Sequence, residues 1–160
     1  MRYKQAGYRV LPFKPWHIDY LSIQNGQRGD GWLYEMSTQQ WQDMADNHTT
    51  FTGLKDDNIL IICGLVPVWN GRATCWTVLS NDVDRYALLW IHKNVSKFLD
   101  TLQTDRKFNR IEADVRNDYQ QGHRWMRLLG FEKESVMAQY DPNGSECARY
   151  VRLSNGSVFA

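Results

Sequence analysis

The run Ile59-Leu60-Ile61-Ile62-Cys63-Gly64-Leu65-Val66-Pro67-Val68-Trp69, followed by Asn70-Gly71 and then by Ala73-Thr74-Cys75-Trp76-Thr77-Val78-Leu79-Ser80, decides the fold class. Its first part is apolar almost without alternation, the pattern of a strand buried on both faces. Asn-Gly between two β-prone runs predicts a hairpin closed by a type I′ turn, whose two central residues both take positive φ. Beyond it, Val83, Ala87, Ile91, Val95, Phe98 and Leu102 recur at helical spacing between Asp82 and about Gln103. A helix with one apolar stripe of that length has to lie on a sheet. A buried hairpin with a long helix against it makes the chain a mixed α/β protein.

Downstream, Arg110 to Arg116 alternates, with Ile111, Ala113 and Val115 on one side and Glu112, Asp114 and Arg116 on the other. That predicts a strand with one solvated face. Asp118 to Leu129 carries Gly122, Trp125, Met126 and Leu129 on one helical face and stops at Gly130, a natural helix terminator. Glu134 to Tyr140 and Cys147 to Leu153 read as strands around the turn Asp141-Pro142-Asn143-Gly144. Upstream, Thr49 to Leu54 reads as a strand, and Thr38 to about Asn47 as a helix capped by Ser37 with Gln40 three residues on. Tyr8 to Phe13 reads as a strand and Trp16 to Ile23 as two helical turns. Gln24 to Gly31, with Gly26, Gly29 and Gly31, reads as a polar, mobile loop. The order is βααβββαβαββ without repeat or linker, which predicts a single domain over residues 1–160 with its core between about 8 and 153.

A length of 160 residues suits one domain. Nineteen basic against eighteen acidic side chains leave a net charge of +1, so charge offers no field for a nucleic acid or a membrane surface. No apolar run is long enough to span a bilayer, and the first residues do not read as a secretory leader. Cys63, Cys75 and Cys147 have no CxxC spacing, and His17, His48 and His92 have no metal-ligand spacing. Neither a disulfide framework nor a metal is expected, and a reducing cytoplasm is.

Taken in that order, Gly64-Leu65-Val66-Pro67-Val68-Trp69-Asn70-Gly71, Cys75-Trp76-Thr77-Val78-Leu79-Ser80 and Arg110-Ile111-Glu112-Ala113-Asp114-Val115 resemble the GCN5-related N-acetyltransferase (GNAT) superfamily. The segment Gly122-His123-Arg124-Trp125-Met126-Arg127-Leu128-Leu129-Gly130-Phe131-Glu132 is similar to the small GNAT-type proteins of tailed phages and prophages. The resemblance implies a twisted mixed sheet of about seven strands with about four helices, its fourth and fifth strands splayed apart. It implies acetyl-CoA in that opening, the pantetheine arm hydrogen-bonded to the fourth strand like an added strand. A bound amine would then take the acetyl group directly, in a ternary complex. On this chain the resemblance places the backbone of Trp76, Thr77, Val78 and Leu79 against the acetyl and pantetheine. It places Asn117 ahead of a helix whose Gly122 is small where the cofactor passes; Arg85, with Lys93 two turns along, is the candidate cation for the phosphates. The loop from Gln24 to Gly31 would border the acceptor.

Two features depart from the family pattern. The usual glycine-rich loop after the fourth strand, whose N–H groups converge on a pyrophosphate, has no counterpart. The segment is Ser80-Asn81-Asp82-Val83-Asp84-Arg85, and no glycine occurs from Arg72 to Gln121. Asp82 and Asp84 place negative charge on the first helical turn, where they complement the helix dipole and repel an anion. Ser80 or Asn81 is the expected cap. The Tyr that protonates the leaving thiolate in many members is here Met126, and a thioether has no proton to give. Tyr119 and His123, four apart on one helix face, are the candidate general acids in its place. An alkylammonium of pKa ~10 also needs a base, and Asp114, nearer than Glu112 to the end where the cleft would open, is the candidate. Alternating charge on a strand is otherwise its solvated face.

Two functions follow. One is an acetyl-CoA-dependent N-acyltransferase acting on an amine of a small molecule, a protein or a nucleic-acid base. The other is a catalytically degenerate GNAT-fold accessory or virion-assembly protein that binds a phage or host protein and no acetyl-CoA. The missing glycines and Met126 favour the second, and the strand and helix motifs favour the first. Fourth and fifth strands joined along their full length, or a gap plugged by side chains such as Trp125, would exclude the transferase.

Overall fold

A computed structural model describes residues 7–27, 31–105 and 108–156. Seven strands make one sheet: β1 (Tyr8–Pro12), β2 (Thr50–Lys55), β3 (Asn58–Trp69), β4 (Arg72–Leu79), β5 (Arg110–Arg116), β6 (Glu132–Met137) and β7 (Cys147–Leu153). Their spatial order is β1-β2-β3-β4-β5-β7-β6. Only β4 and β5 are parallel neighbours. Parallel neighbours need a crossover, and the long helix supplies it. The helices among the described residues are α1 (Trp32–Glu35), α2 (Thr38–Asp46), α3 (Arg85–Asp105) and α4 (Gln120–Leu128). None is long and apolar enough to cross a membrane.

The sheet has a core on each face. Leu65, Ala73, Ile111, Ala113 and Val115 pack under Leu99 and Leu102 of α3 and Met126 of α4. On the other face Ile62 and Val78 pack with Phe13, Leu33 and Trp41, which seats α1 and α2. Strand residues alternate between these layers, so neighbours along β4 look into different halves of the protein.

Several sequence expectations hold to the residue. Strand β5 spans Arg110–Arg116, and Ser37 and Gln40 form a reciprocal capping box on α2. Gly130 takes a positive φ of 86° after α4. Others are corrected. Trp16 to Ile23 is not an α-helix: Pro15–Tyr20 is a 3₁₀ turn, and the chain then straightens so that Ile23 bridges Ser80. In the hairpin turn only Gly71 has positive φ, at 86°, so the turn is not type I′. The ladder slips between Pro67 and Trp69, beside a residue with no N–H to give it. The strand expected at Glu134 to Tyr140 is β6, displaced toward the N-terminus; Gln139, at a φ of 50°, lies beyond its end. Helix α3 starts at Arg85, not Asp82, and its cap is neither Ser80 nor Asn81. The Asp84 carboxylate accepts from the Ala87 N–H at 2.8 Å, while Ser80 Oγ holds the Asp82 N–H at 3.0 Å.

Candidate active site

The parallel pair β4–β5 is short. Arg72, Ala73 and Thr74 partner Arg110, Ile111 and Glu112, and there the ladder ends. Past Thr74 the strands part into a cleft of about 430 Å³, within the size range of small-molecule sites. Because strand residues alternate, the cleft passes through the sheet. Cys75, Ala113, Val115, Gly122, Trp125 and Met126 line it toward α4, whereas Thr74, Trp76, Asp114, Trp32, Met44, Tyr140 and Pro142 line it toward α1 and α2.

The joined end of the wedge is bolted by charge. Glu112 is 2% exposed, not solvated as the alternation predicts. It accepts from Arg72 Nε at 2.6 Å and Nη2 at 3.0 Å, and from Arg110 Nε at 2.6 Å, with Arg149 Nη1 at 3.6 Å. Burial alone would raise its pKa, but the hydrogen bonds from Arg72 and Arg110 and the nearby guanidinium charges hold it down at about 2. The three arginines come from β4, β5 and β7, so one carboxylate ties three strands together.

Two residues along the same face, Asp114 stands at the cleft. It accepts from Arg149 Nε at 3.0 Å and Nη2 at 3.1 Å, and from the Tyr140 hydroxyl at 2.8 Å. Arg149 Nη2 also donates to that hydroxyl at 3.0 Å. Burial, then the hydrogen bond to Asp114, raises the Tyr140 pKa, so this phenol is a proton donor at neutral pH. Tyr140 has no sequence signal as a site residue, because it reads as part of a strand and reaches the cleft only through the loop between β6 and β7.

The remaining sequence candidates are distributed unevenly. Tyr119 lines the cleft, and its hydroxyl donates to the Gln24 side chain. Gly122 also lines it, but its smallness serves Tyr119: an added Cβ would lie 2.6 Å from the Tyr119 ring and 2.8 Å from Val115. His123 is absent from the cleft wall and only 5% exposed. Its Nε2 faces the Asn117 carbonyl at 2.9 Å, so that nitrogen carries a proton, and Nδ1 is hydrogen-bonded with the Tyr150 hydroxyl at 2.8 Å. Asn117 spends its side chain on Glu146 at 2.6 Å. Arg85 lies over the Tyr86 ring, 5.0 Å from its centroid, and is exposed away from the cleft.

Of the β4 backbone groups, only those of alternate residues face the gap. The Ser80 N–H donates to the Leu60 carbonyl of β3 at 2.8 Å, so by alternation Thr77 and Leu79 are the ones turned toward β5. Three of their outward groups are already engaged. Gln27 Nε2 donates to the Thr77 carbonyl at 2.9 Å, and the Leu79 N–H donates to Gln27 Oε1 at 2.7 Å. The Leu79 carbonyl accepts from the Gln24 N–H at 2.8 Å. Far from being a mobile loop residue, Gln27 is 5% exposed; residues 28–30 of that expected loop lie outside the described residues.

Trp76 is the aromatic hub of the α1/α2 mouth, with ring centroids 5.6 Å from Trp32 and 5.8 Å from Trp41. It lies over Gly64, where a Cβ would come within 2.7 Å of its Nε1. Burial pushes the Cys63 and Cys75 thiols up to about 12. Burial therefore favours the neutral thiol at Cys75, although it stands on the cleft wall.

No protein-family model and no curated protein matches the sequence. Solved structures do. An acetyltransferase of the GNAT family from Bacillus anthracis superposes with a TM-score of 0.67 at 11% identity, covering 95% of this chain and 98% of that one. Ard1 from Thermoplasma volcanium gives 0.71 at 14% identity over 92% and 97%. Spermidine N-acetyltransferase from Vibrio cholerae, in complex with CoA and spermine, gives 0.71 at 12% identity over 95% and 98%. The chain has the GNAT fold.

Whether this GNAT fold suits a CoA thioester differs between the two ends of the cleft. The wedge is apolar toward α4, and the Thr77 carbonyl and Leu79 N–H already hold one amide, that of Gln27. The nucleotide end does not fit. The Asp84 carboxylate occupies the N-terminus of α3, and Arg85 is turned to Tyr86.

Proposed function

We propose that the chain is an N-acyltransferase whose acyl donor, acetyl-CoA, enters between β4 and β5 from the α4 side and whose amine acceptor enters from the α1/α2 side. The parting of β4 and β5 after Thr74 carries this reading, because it gives two substrates access to one point through opposite faces of the sheet. The bound thioester would supply an activated acyl carbon, with Thr77 and Leu79 holding its amide-bearing arm and no phosphate clamp. At the acceptor mouth Asp114 takes the proton that an alkylammonium must lose before it attacks. Arg149 holds that carboxylate in place, and Tyr140 bridges the pair. Tyr119, on the cleft wall, is the proposed donor to the leaving thiolate. His123 is left out, because both its ring nitrogens are committed to Tyr150 and Asn117. Trp32, Trp76 and Met44 shield the mouth from water.

The second reading is the degenerate interaction protein with a phage or host protein as partner, favoured by the Asp84 cap and by Gln27 on the β4 edge. Thiol release from acetyl-CoA, measured with simple alkylamines, polyamines and peptide amino termini, separates the two. Release that falls tenfold or more in Asp114→Asn, with acetyl-CoA affinity unchanged, supports the transferase. Saturation at 100 times Kd should stabilise the fold by about 2.7 kcal/mol. Absence of any thermal shift at millimolar acetyl-CoA selects the interaction protein.

A further inference from the structure

We propose that the segment from Ile23 to Gln27 is a latch that closes the β4 edge against the acyl donor, the Gln27 carboxamide standing where an amide of the donor arm would bind; this rests on the acyltransferase reading above. One side-chain amide satisfies the Thr77 carbonyl and the Leu79 N–H together, at 2.9 and 2.7 Å. These two groups flank Val78, and a donor and an acceptor spaced in this way are what one residue of a parallel neighbour strand would present. Gln27 therefore substitutes for a strand residue with its side chain, at the point where the ladder to β5 has ended.

The segment is pinned on both sides of the wedge. Toward β4, the Gln24 N–H donates to the Leu79 carbonyl at 2.8 Å, Ile23 bridges Ser80, and the Asn81 N–H donates to the Ser22 carbonyl at 2.7 Å. Toward β5 and α4, Arg116 Nη2 donates to the Gly26 carbonyl at 2.7 Å and the Tyr119 hydroxyl to the Gln24 side chain. Gly26 lies flat on the Tyr119 ring, where any Cβ would strike it. The contact to the β4 edge consists of exchangeable hydrogen bonds. An arriving arm with two secondary amides replaces them bond for bond, the N–H of one on the Thr77 carbonyl and the carbonyl of the other on the Leu79 N–H. Affinity for the donor is then scaled down by the small fraction of molecules in which Gln27 has let go.

Calorimetric titration of acetyl-CoA into the full-length wild-type protein, Gln27→Ala and Gln27→Leu tests this, together with hydrogen exchange at the Leu79 amide. Both variants should bind acetyl-CoA at least tenfold more tightly than wild type. The Leu79 amide should exchange faster in ligand-free Gln27→Ala and become protected again when acetyl-CoA is added. Equal, measurable affinity in all three proteins overturns the latch and leaves the acyltransferase reading standing. Failure of all three to bind at millimolar acetyl-CoA removes the acyl-donor reading and the latch with it. Should Gln27→Ala not fold, Gln27→Leu, which keeps the side-chain volume and removes both hydrogen bonds, carries the affinity comparison alone.

Discussion

The two edges of β4 belong to one strand yet are closed by different means. Toward β3 the ladder runs from Ile61 opposite Leu79 to Trp69 opposite Arg72. Toward β5 it covers Arg72 to Thr74 and then gives way to the side chain of Gln27, fifty residues away in sequence from Thr77. The composition of β4 does not cause this difference, since both edges are built from the same residues. What differs is the partner: β3 is delivered by a turn at Asn70 and Gly71, whereas β5 returns only after the whole of α3. An edge zipped by backbone stays shut, and an edge zipped by a carboxamide can be opened without unfolding its neighbours.

The largest test of this contrast is Glu112→Ala, which removes the carboxylate that bolts the joined end of β4 and β5. It leaves Arg72, Arg110 and Arg149 facing one another, and denaturant unfolding should show a loss of about 3 kcal/mol. The same residue sets a pH signature. Its folded pKa of about 2 lies below its ordinary 4.5, so its contribution is complete above that value and is lost as pH falls toward 2. Urea midpoints measured from pH 6 to pH 2 should fall more steeply in wild type than in Glu112→Ala. On the zipped edge, Gly64→Leu forces a side chain between Trp76 and Thr50, at 2.7 and 2.8 Å from the new Cβ. That should cost about 2 kcal/mol by the same measurement. Gln27→Leu strips two hydrogen bonds from the open edge and leaves the Leu79 N–H buried without its acceptor, so about 1.5 kcal/mol is expected. Smallest is Asp84→Ala, which uncaps α3 for between about 0.5 and 1 kcal/mol of melting stability.

Local chemistry made much of the frame legible in sequence. The alternation from Arg110 to Arg116, the Ser37–Gln40 cap and the terminator Gly130 each depend on residues within a few positions of one another. The parting of β4 and β5 was reached through resemblance, not from either strand alone. What stayed hidden depends on distant partners. Glu112 sits in an alternating strand that reads as half solvated, and only the arrival of Arg72 from β4 and Arg149 from β7 buries it. A hint was present in the arginines placed near the ends of three predicted strands. Gln27 lies in a stretch whose glycines and polar residues suggest a loop, and nothing near it announces that its amide matches an unpaired strand edge. His123 looks like a surface histidine until Tyr150 of β7 is laid against it. Asp114 and Tyr119 line the cleft because it lies where the strand order puts it, and Tyr140 has no signal because it reads as the end of a strand.

The packing of Trp32 and Trp41 against Trp76 at the rim of the cleft has a practical consequence. Intrinsic indole emission should change in wavelength and intensity when a molecule enters the wedge, and again when the Ile23–Gln27 segment lifts. The protein therefore carries its own optical reporter, and stopped-flow mixing could time the opening of the cleft separately from its filling without any attached dye.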